Sequence, residues 1–242
     1  MLVKECLKQT ETDNFSETVQ NVNQAVKLLY GIPKISGSAY PKAQKQLANF
    51  SECIKTVNAK SSFLTAKDLS TKAFSVDNQT VLPLAEWQKI SFDLETAIVE
   101  IQSIPSDVDI SKEAQEKLNQ YQKQLKFINQ KTQNEQVALN TLNRANNLKL
   151  QAENSIRYNF NLKSLSQAEL KVKNAIQLIN NLPNTTSIAE NKKDDLKSYQ
   201  ISLNNIQYKI AVIRLNSLVK SFRNFSKMLH NNMGYIEYSR RL

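Results

Sequence analysis

Residues 97–128 read AIVEIQSIPSDVDISKEAQEKLNQYQKQLKFI, and the organisation of the whole chain follows from this stretch. Before Pro105 stand Ala97, Ile101 and Ile104, at helical spacing. After it, Ala114, Leu118, Tyr121, Leu125 and Ile128 recur at intervals of 4, 3, 4 and 3, the apolar stripe of an amphipathic helix. Proline cannot continue a helix and disfavours helical backbone in the residue before it. The segment therefore predicts a helix ending near Pro105, a polar loop at Ser106-Asp107-Val108-Asp109, and a second helix returning antiparallel, with Ser111 as its N-cap.

The same pattern occurs twice more. Ala25, Leu29 and Ile32 precede Pro33, and Ala175, Ile179 and Leu182 precede Pro183; the three prolines are 72 and 78 residues apart. Downstream of Pro183, Leu196, Tyr199, Leu203 and Ile206 take the offsets of Leu118, Tyr121, Leu125 and Ile128. Downstream of Pro33, Leu47, Phe50, Ile54 and Val57 do so one residue later, as if that loop were longer by one. Lys60, Lys131 and Lys209 close the three copies at a common offset. A self-similar period of this length is the signature of a repeat architecture.

Each returning helix is expected to run past its copy. Residues 106–182 and 184–233 contain neither proline nor glycine besides the terminating Pro183, and Gly234 reads as a helix stop. The apolar stripe changes face along the way. In the third copy, Leu196, Tyr199, Leu203, Ile206, Ile210 and Ile213 form one stripe. Ala211, Leu215, Leu218, Phe222, Phe225 and Leu229 form a second, rotated by roughly 100° from the first. Comparable continuations are Phe63, Ala66, Ala73 and Val76, and Ala138, Leu142, Ala145, Ala152 and Ile156. The expected fold is all-α: an elongated array of three helical-hairpin, three-helix-bundle-like repeats sharing long connecting helices. The copies span residues 1–60 (leading helix missing), 61–131 and 132–209, followed by a basic amphipathic helix and tail over 210–242.

These motifs resemble repeats of the form W-x6-W-x2-A-I-x2-L-x2-I-P followed by Y-x2-A-Q-x2-L-x2-Y, found in cyanobacterial helical-repeat proteins of poorly defined role. Trp87, Ala97, Ile98, Ile101, Ile104 and Pro105 carry the first half; Tyr40, Ala43, Gln44, Leu47 and Phe50, and Ala114, Gln115, Leu118 and Tyr121, carry the second. The second tryptophan is Leu94 here, and the third copy has Asn191 and Lys192 near the A-Q position. The resemblance covers about residues 15–210 and implies a fold far more than a function. Some such proteins carry a retropepsin-like domain or a membrane anchor elsewhere; this chain has no D-[ST]-G tripeptide.

Composition narrows the chemistry. The 242 residues include three glycines, one histidine and two cysteines. Glycine loops that cradle phosphates need several glycines close together, and none occurs, so nucleotide-binding, kinase and nucleophile-elbow motifs are absent. His230 has no second imidazole with which to build a metal site, and the acidic pairs Asp107/Asp109 and Asp194/Asp195 are too sparse for calcium. No cofactor, metal or catalytic residue is expected. Cys6 and Cys53 read as unpaired thiols of a reducing compartment, with a single disulfide as the alternative. The first residues do not form a signal peptide and no apolar run is long enough to span a bilayer, which makes the cytoplasm the default location and a peripheral membrane site the alternative.

The net charge is +10, and Lys209, Arg214, Lys220, Arg223, Lys227, Arg240 and Arg241 against Glu237 concentrate +6 of it at the C-terminal end. On a helix, Lys209, Lys220, Arg223 and Lys227 fall within about 60° of one another. They lie opposite Leu218, Phe222, Phe225 and Leu229. The basic strip suits an anionic partner or anionic lipid; its plain reading is a solvated outer face. The apolar stripe suits a partner helix; its plain reading is packing within the third copy. Nucleic acid is disfavoured, because cations and aromatics do not interleave on one face. The expectation is a non-catalytic scaffold or adaptor that binds protein partners, with lipid-surface association as the alternative.

Overall fold

The chain is all-α in a computed structural model, which describes residues 15–158 and 161–239. The described residues form α1 (Phe15–Tyr30), α2 (Ala39–Ser75), α3 (Leu84–Gln102), α4 (Ser111–Tyr158), α5 (Leu162–Asn180) and α6 (Lys192–Ser239), with a 3-10 helix at Ser187–Asn191. The chain divides into two compact units, Met1–Gln133 and Asn134–Leu242, and α4 supplies residues to both.

The prolines punctuate the helices as their chemistry requires. α1, α3 and α5 each end three residues before one, at Tyr30, Gln102 and Asn180. The last backbone bonds are the same in each: Gly31, Ser103 and Asn181 donate to Lys27, Val99 and Gln177, and Ile32, Ile104 and Leu182 donate to Leu29, Ile101 and Ile179. The loops after Pro33 and Pro105 are equal in length, since α2 and α4 start at the same offset from them. The one-residue shift of the first copy is therefore not a longer loop. The loops differ in conformation at Gly37, which takes a left-handed φ of 56° where the second copy has Asp109. Ser111 is the first residue of α4 rather than its cap; the Ala114 N–H donates to the carbonyl of Ile110. Nor does Gly234 stop α6, which runs on to Ser239; a glycine inside a helix costs only about 1 kcal/mol.

In the first unit, α1 and α2 pack through Val22, Phe50, Cys53 and Val57. The later part of α2 (Ala66, Ala73), all of α3 (Trp87, Ile90, Leu94, Ala97, Ile101) and the start of α4 (Ala114, Tyr121, Ile128) then enclose a three-helix core. In the second unit, Ala138, Ala145 and Ala152 of α4, Leu165 to Ile179 of α5, and Tyr199, Leu203, Ile206 and Ile210 of α6 enclose another. Burying each large aliphatic or aromatic side chain of these cores contributes about 1.5–3 kcal/mol. The long helices meet the short ones on alanine spaced by seven: Ala66 and Ala73 on α2, and Ala138, Ala145 and Ala152 on α4, none above 1% exposed. The small side chain admits the bulky face of α3 or α5 at close approach.

Polar groups reinforce these seams. Tyr121 Oη is hydrogen-bonded to Ser70 Oγ (2.9 Å), and Tyr199 Oη donates to Asn146 Oδ1 (2.6 Å). Asn161 and Ser164 form a reciprocal capping box at the start of α5. Lys131 Nζ donates to the Asn78 carbonyl (2.7 Å) in the α2–α3 connection while lying 5.9 Å from the Trp87 ring centroid. Cys53 is fully buried and disulfide-bonded, which corrects the unpaired-thiol expectation there; the chain's other cysteine, Cys6, lies outside the described residues.

Candidate functional site

The first part of α6 belongs to the core of the second unit. Its buried face is Tyr199, Leu203, Ile206 and Ile210, with Ile213 packed against the same core. Beyond Ile213 every described side chain up to Met228 is exposed. The apolar stripe nevertheless continues, on a face turned about 100° from the buried one. Leu215, Leu218, Phe222 and Phe225 lie on that face, flanked on its two sides by Val219 and Met228; the six stand between 42% and 73% exposed, Phe222 the most. Isolated exposed apolar residues are ordinary; six of them within residues 215–228 form a continuous apolar surface on this helix. Packing of Leu218, Phe222 and Phe225 within the third copy, the plainer of the two expectations, does not occur. The side chain of Leu229 lies outside the described residues.

The basic set divides. Lys220, Arg223 and Lys227 are exposed on the side of α6 opposite the apolar stripe. Lys209 is half-buried and lines a cleft of about 320 Å³ in the second unit, with Glu153, Ile156, Arg157, Ser202, Asn205 and Ile206. Arg214 is exposed as well, off the strip by its helical position, and its charge acts on Glu169 of α5. That carboxylate is held below its usual range, first by hydrogen bonds from Lys173 (2.7 Å) and Gln207 (3.0 Å), with Arg214 adding a favourable charge. Arg240 and Arg241 lie outside the described residues. Of the five described cations, Lys209 is set into the bundle, Arg214 lies to one side of the strip, and Lys220, Arg223 and Lys227 form the outward strip.

The remaining candidates are structural where they are described. Trp87, Phe50, Tyr121 and Tyr199 are all buried in cores. Asp107 receives the Lys55 ammonium, which holds its carboxyl below the usual range. Asp109 is exposed in the same loop, and Asp194 and Asp195 occupy the first turn of α6. The side chain of His230 lies outside the described residues. Among the described residues no group of three or more His, Cys, Asp or Glu side chains comes together. Among them, too, no helix is long and apolar enough to cross a membrane.

One polar site escaped sequence reasoning. Glu135, only 2% exposed, accepts hydrogen bonds from the backbone N–H and hydroxyl of Ser187, at the start of the 3-10 helix. A single glutamate on a polar helix carries no spacing signal that would have singled it out. Val219 and Met228, which widen the α6 face, were likewise not separable from the polar flank by pattern alone. Comparison with protein-family models, curated proteins and solved structures gives no match for the chain.

Proposed function

We propose that the chain is a non-catalytic helical-repeat scaffold that binds protein partners through the faces of its long helices. The observation that carries this reading is the exposed apolar stripe from Leu215 to Met228, presented on a helix whose first half is anchored in a packed core. An amphipathic helix with spaced apolar anchors is a standard means of helix-mediated recognition. The test is affinity capture from a native lysate at low and high salt, with mass spectrometry of the eluate. Partners that stay bound at high salt support an apolar interface. Loss of every bound species at high salt rejects it.

A second reading rests on Lys220, Arg223 and Lys227. With no acidic residue among positions 209–228, this side of α6 suits an anionic lipid surface, where each cation near the bilayer contributes about 1 kcal/mol. Salt-reversible binding to anionic vesicles supports it; indifference to lipid charge rejects it. The resemblance to cyanobacterial repeat proteins is compatible with either reading. Location bears on the disulfide at Cys53, because such bonds persist in oxidising compartments and are rare in the cytoplasm. Thiol labelling of the protein in its native extract separates a disulfide-bonded chain of an oxidising compartment from a reduced, cytoplasmic one.

A further inference from the structure

The later part of α6 differs from the later parts of α2 and α4 in the size of its side chains. Where α3 or α5 docks, the receiving long helix offers alanine every seventh residue, at Ala66 and Ala73 or at Ala138, Ala145 and Ala152. The docking helices bring the bulk: Trp87, Ile90 and Leu94, or Leu165, Val172 and Ile179. The exposed stripe of α6 has Leu215 and Phe222 at a seven-residue interval, with Leu218 and Phe225 between them. A bulky helix of the α3 type seated here would set large side chains against large ones. Intervals of 3 and 4 with large residues at both positions are instead the a and d layers of a coiled-coil seam, where equal helices interleave.

The flanks fit a second copy of the same helix. Positions beside the seam are Val212, Val219 and Ser226 on one side and Arg214, Ser221 and Met228 on the other. Only Arg214 is charged, a single cation on that flank, and Glu169 of its own unit supplies a favourable opposite charge. Lys220, Arg223 and Lys227 lie on the far side of the helix, so two copies can meet without bringing like charges face to face. An acidic partner helix would be drawn to that far side instead. Covering six side chains exposed by 42–73% on each of two chains removes on the order of 1,000 Å² from water, about the minimum for a specific interface.

We propose that the chain self-associates through α6, the two Leu215–Met228 stripes pairing as a coiled coil with the cations outward. This names one partner within the scaffold reading and rests on it. The purified full chain is used, so that failure here is distinguishable from failure of lysate capture. Sedimentation over a micromolar to submillimolar range is expected to show a monomer–dimer equilibrium that tightens at high salt, because screening relieves repulsion between the outward cations while leaving the apolar seam intact. Phe222→Glu is expected to weaken dimerisation at least about tenfold, or about 1.4 kcal/mol, with unchanged helical circular dichroism. Lys220→Glu on the far side is expected to leave the dimer in place. A wild-type chain that stays monomeric across the range overturns the proposal. So does a dimer that survives Phe222→Glu, or one that Lys220→Glu dissolves.

Discussion

Tyr199 sits at the centre of the second core, 1% exposed, with its hydroxyl bonded to Asn146. Burial, aided by the charge of Asp195, pushes its phenol up to about 12. The folded chain therefore holds this proton more tightly than the unfolded chain, whose phenol titrates near 10. The resulting stability is fully present below pH about 10 and is lost as pH rises toward about 12, by at most about 3 kcal/mol. Tyr199→Phe is expected to cost about 1 kcal/mol at neutral pH, for the lost hydrogen bond, and to remove that part of the alkaline loss. Denaturant melts of both proteins across this range check it; equal alkaline losses refute it. Glu135 makes the converse case. Glu135→Ala leaves the partly buried Ser187 N–H without its acceptor and is expected to destabilise by about 1–3 kcal/mol, whereas an exposed substitution such as Glu116→Ala stays within about 0.5 kcal/mol. The tyrosine was legible in the sequence because it recurs at one offset. The glutamate was not, since a lone carboxylate becomes informative only when the loop it caps is placed beside it.

Among the elements, the short helices and their loops were the most legible. Proline forbids helical continuation, so the ends of α1, α3 and α5 follow from Pro33, Pro105 and Pro183. The conformation at Gly37 was not legible, because glycine permits a left-handed φ without requiring it. The alanine spacing was visible but easily undervalued: a small residue reads as weakly hydrophobic, although its smallness is what seats the neighbouring helix. Ala66→Leu and Ala145→Leu are accordingly expected to destabilise by about 1–3 kcal/mol through overpacking. Phe222→Ala, on an exposed face, is expected to change monomer stability by no more than about 0.5 kcal/mol. Thermal or denaturant unfolding of the three variants separates packed seams from open ones. The candidate site was legible as a stripe with an opposite basic strip. Whether that stripe lay in a core could not be read from periodicity, because a buried and an open amphipathic face have the same pattern.

For the whole chain, the all-α fold follows from the sequence because helical periodicity, scarce glycine and spaced prolines agree. The division into Met1–Gln133 and Asn134–Leu242 falls inside α4, close to the expected boundary between the copies at 61–131 and 132–209, because a continuous helix can change the face it packs without a break in the chain. The disulfide at Cys53 was one of two open alternatives, as spacing alone does not fix whether two cysteines meet. Reduction is expected to lower the stability of the oxidised chain by about 2–4 kcal/mol, read as an earlier unfolding transition with reductant than without. Unchanged melts together with two titratable thiols per native chain contradict this. Association with partners is decided by comparing two triple variants in capture from native lysate. One carries Leu218→Ala, Phe222→Ala and Phe225→Ala; the other carries Lys220→Ala, Arg223→Ala and Lys227→Ala. Retention of the bound partners by the second and their loss by the first is the expected result. Partners kept by the first and lost by the second would transfer the interaction from the apolar face of α6 to its basic one and contradict the scaffold reading.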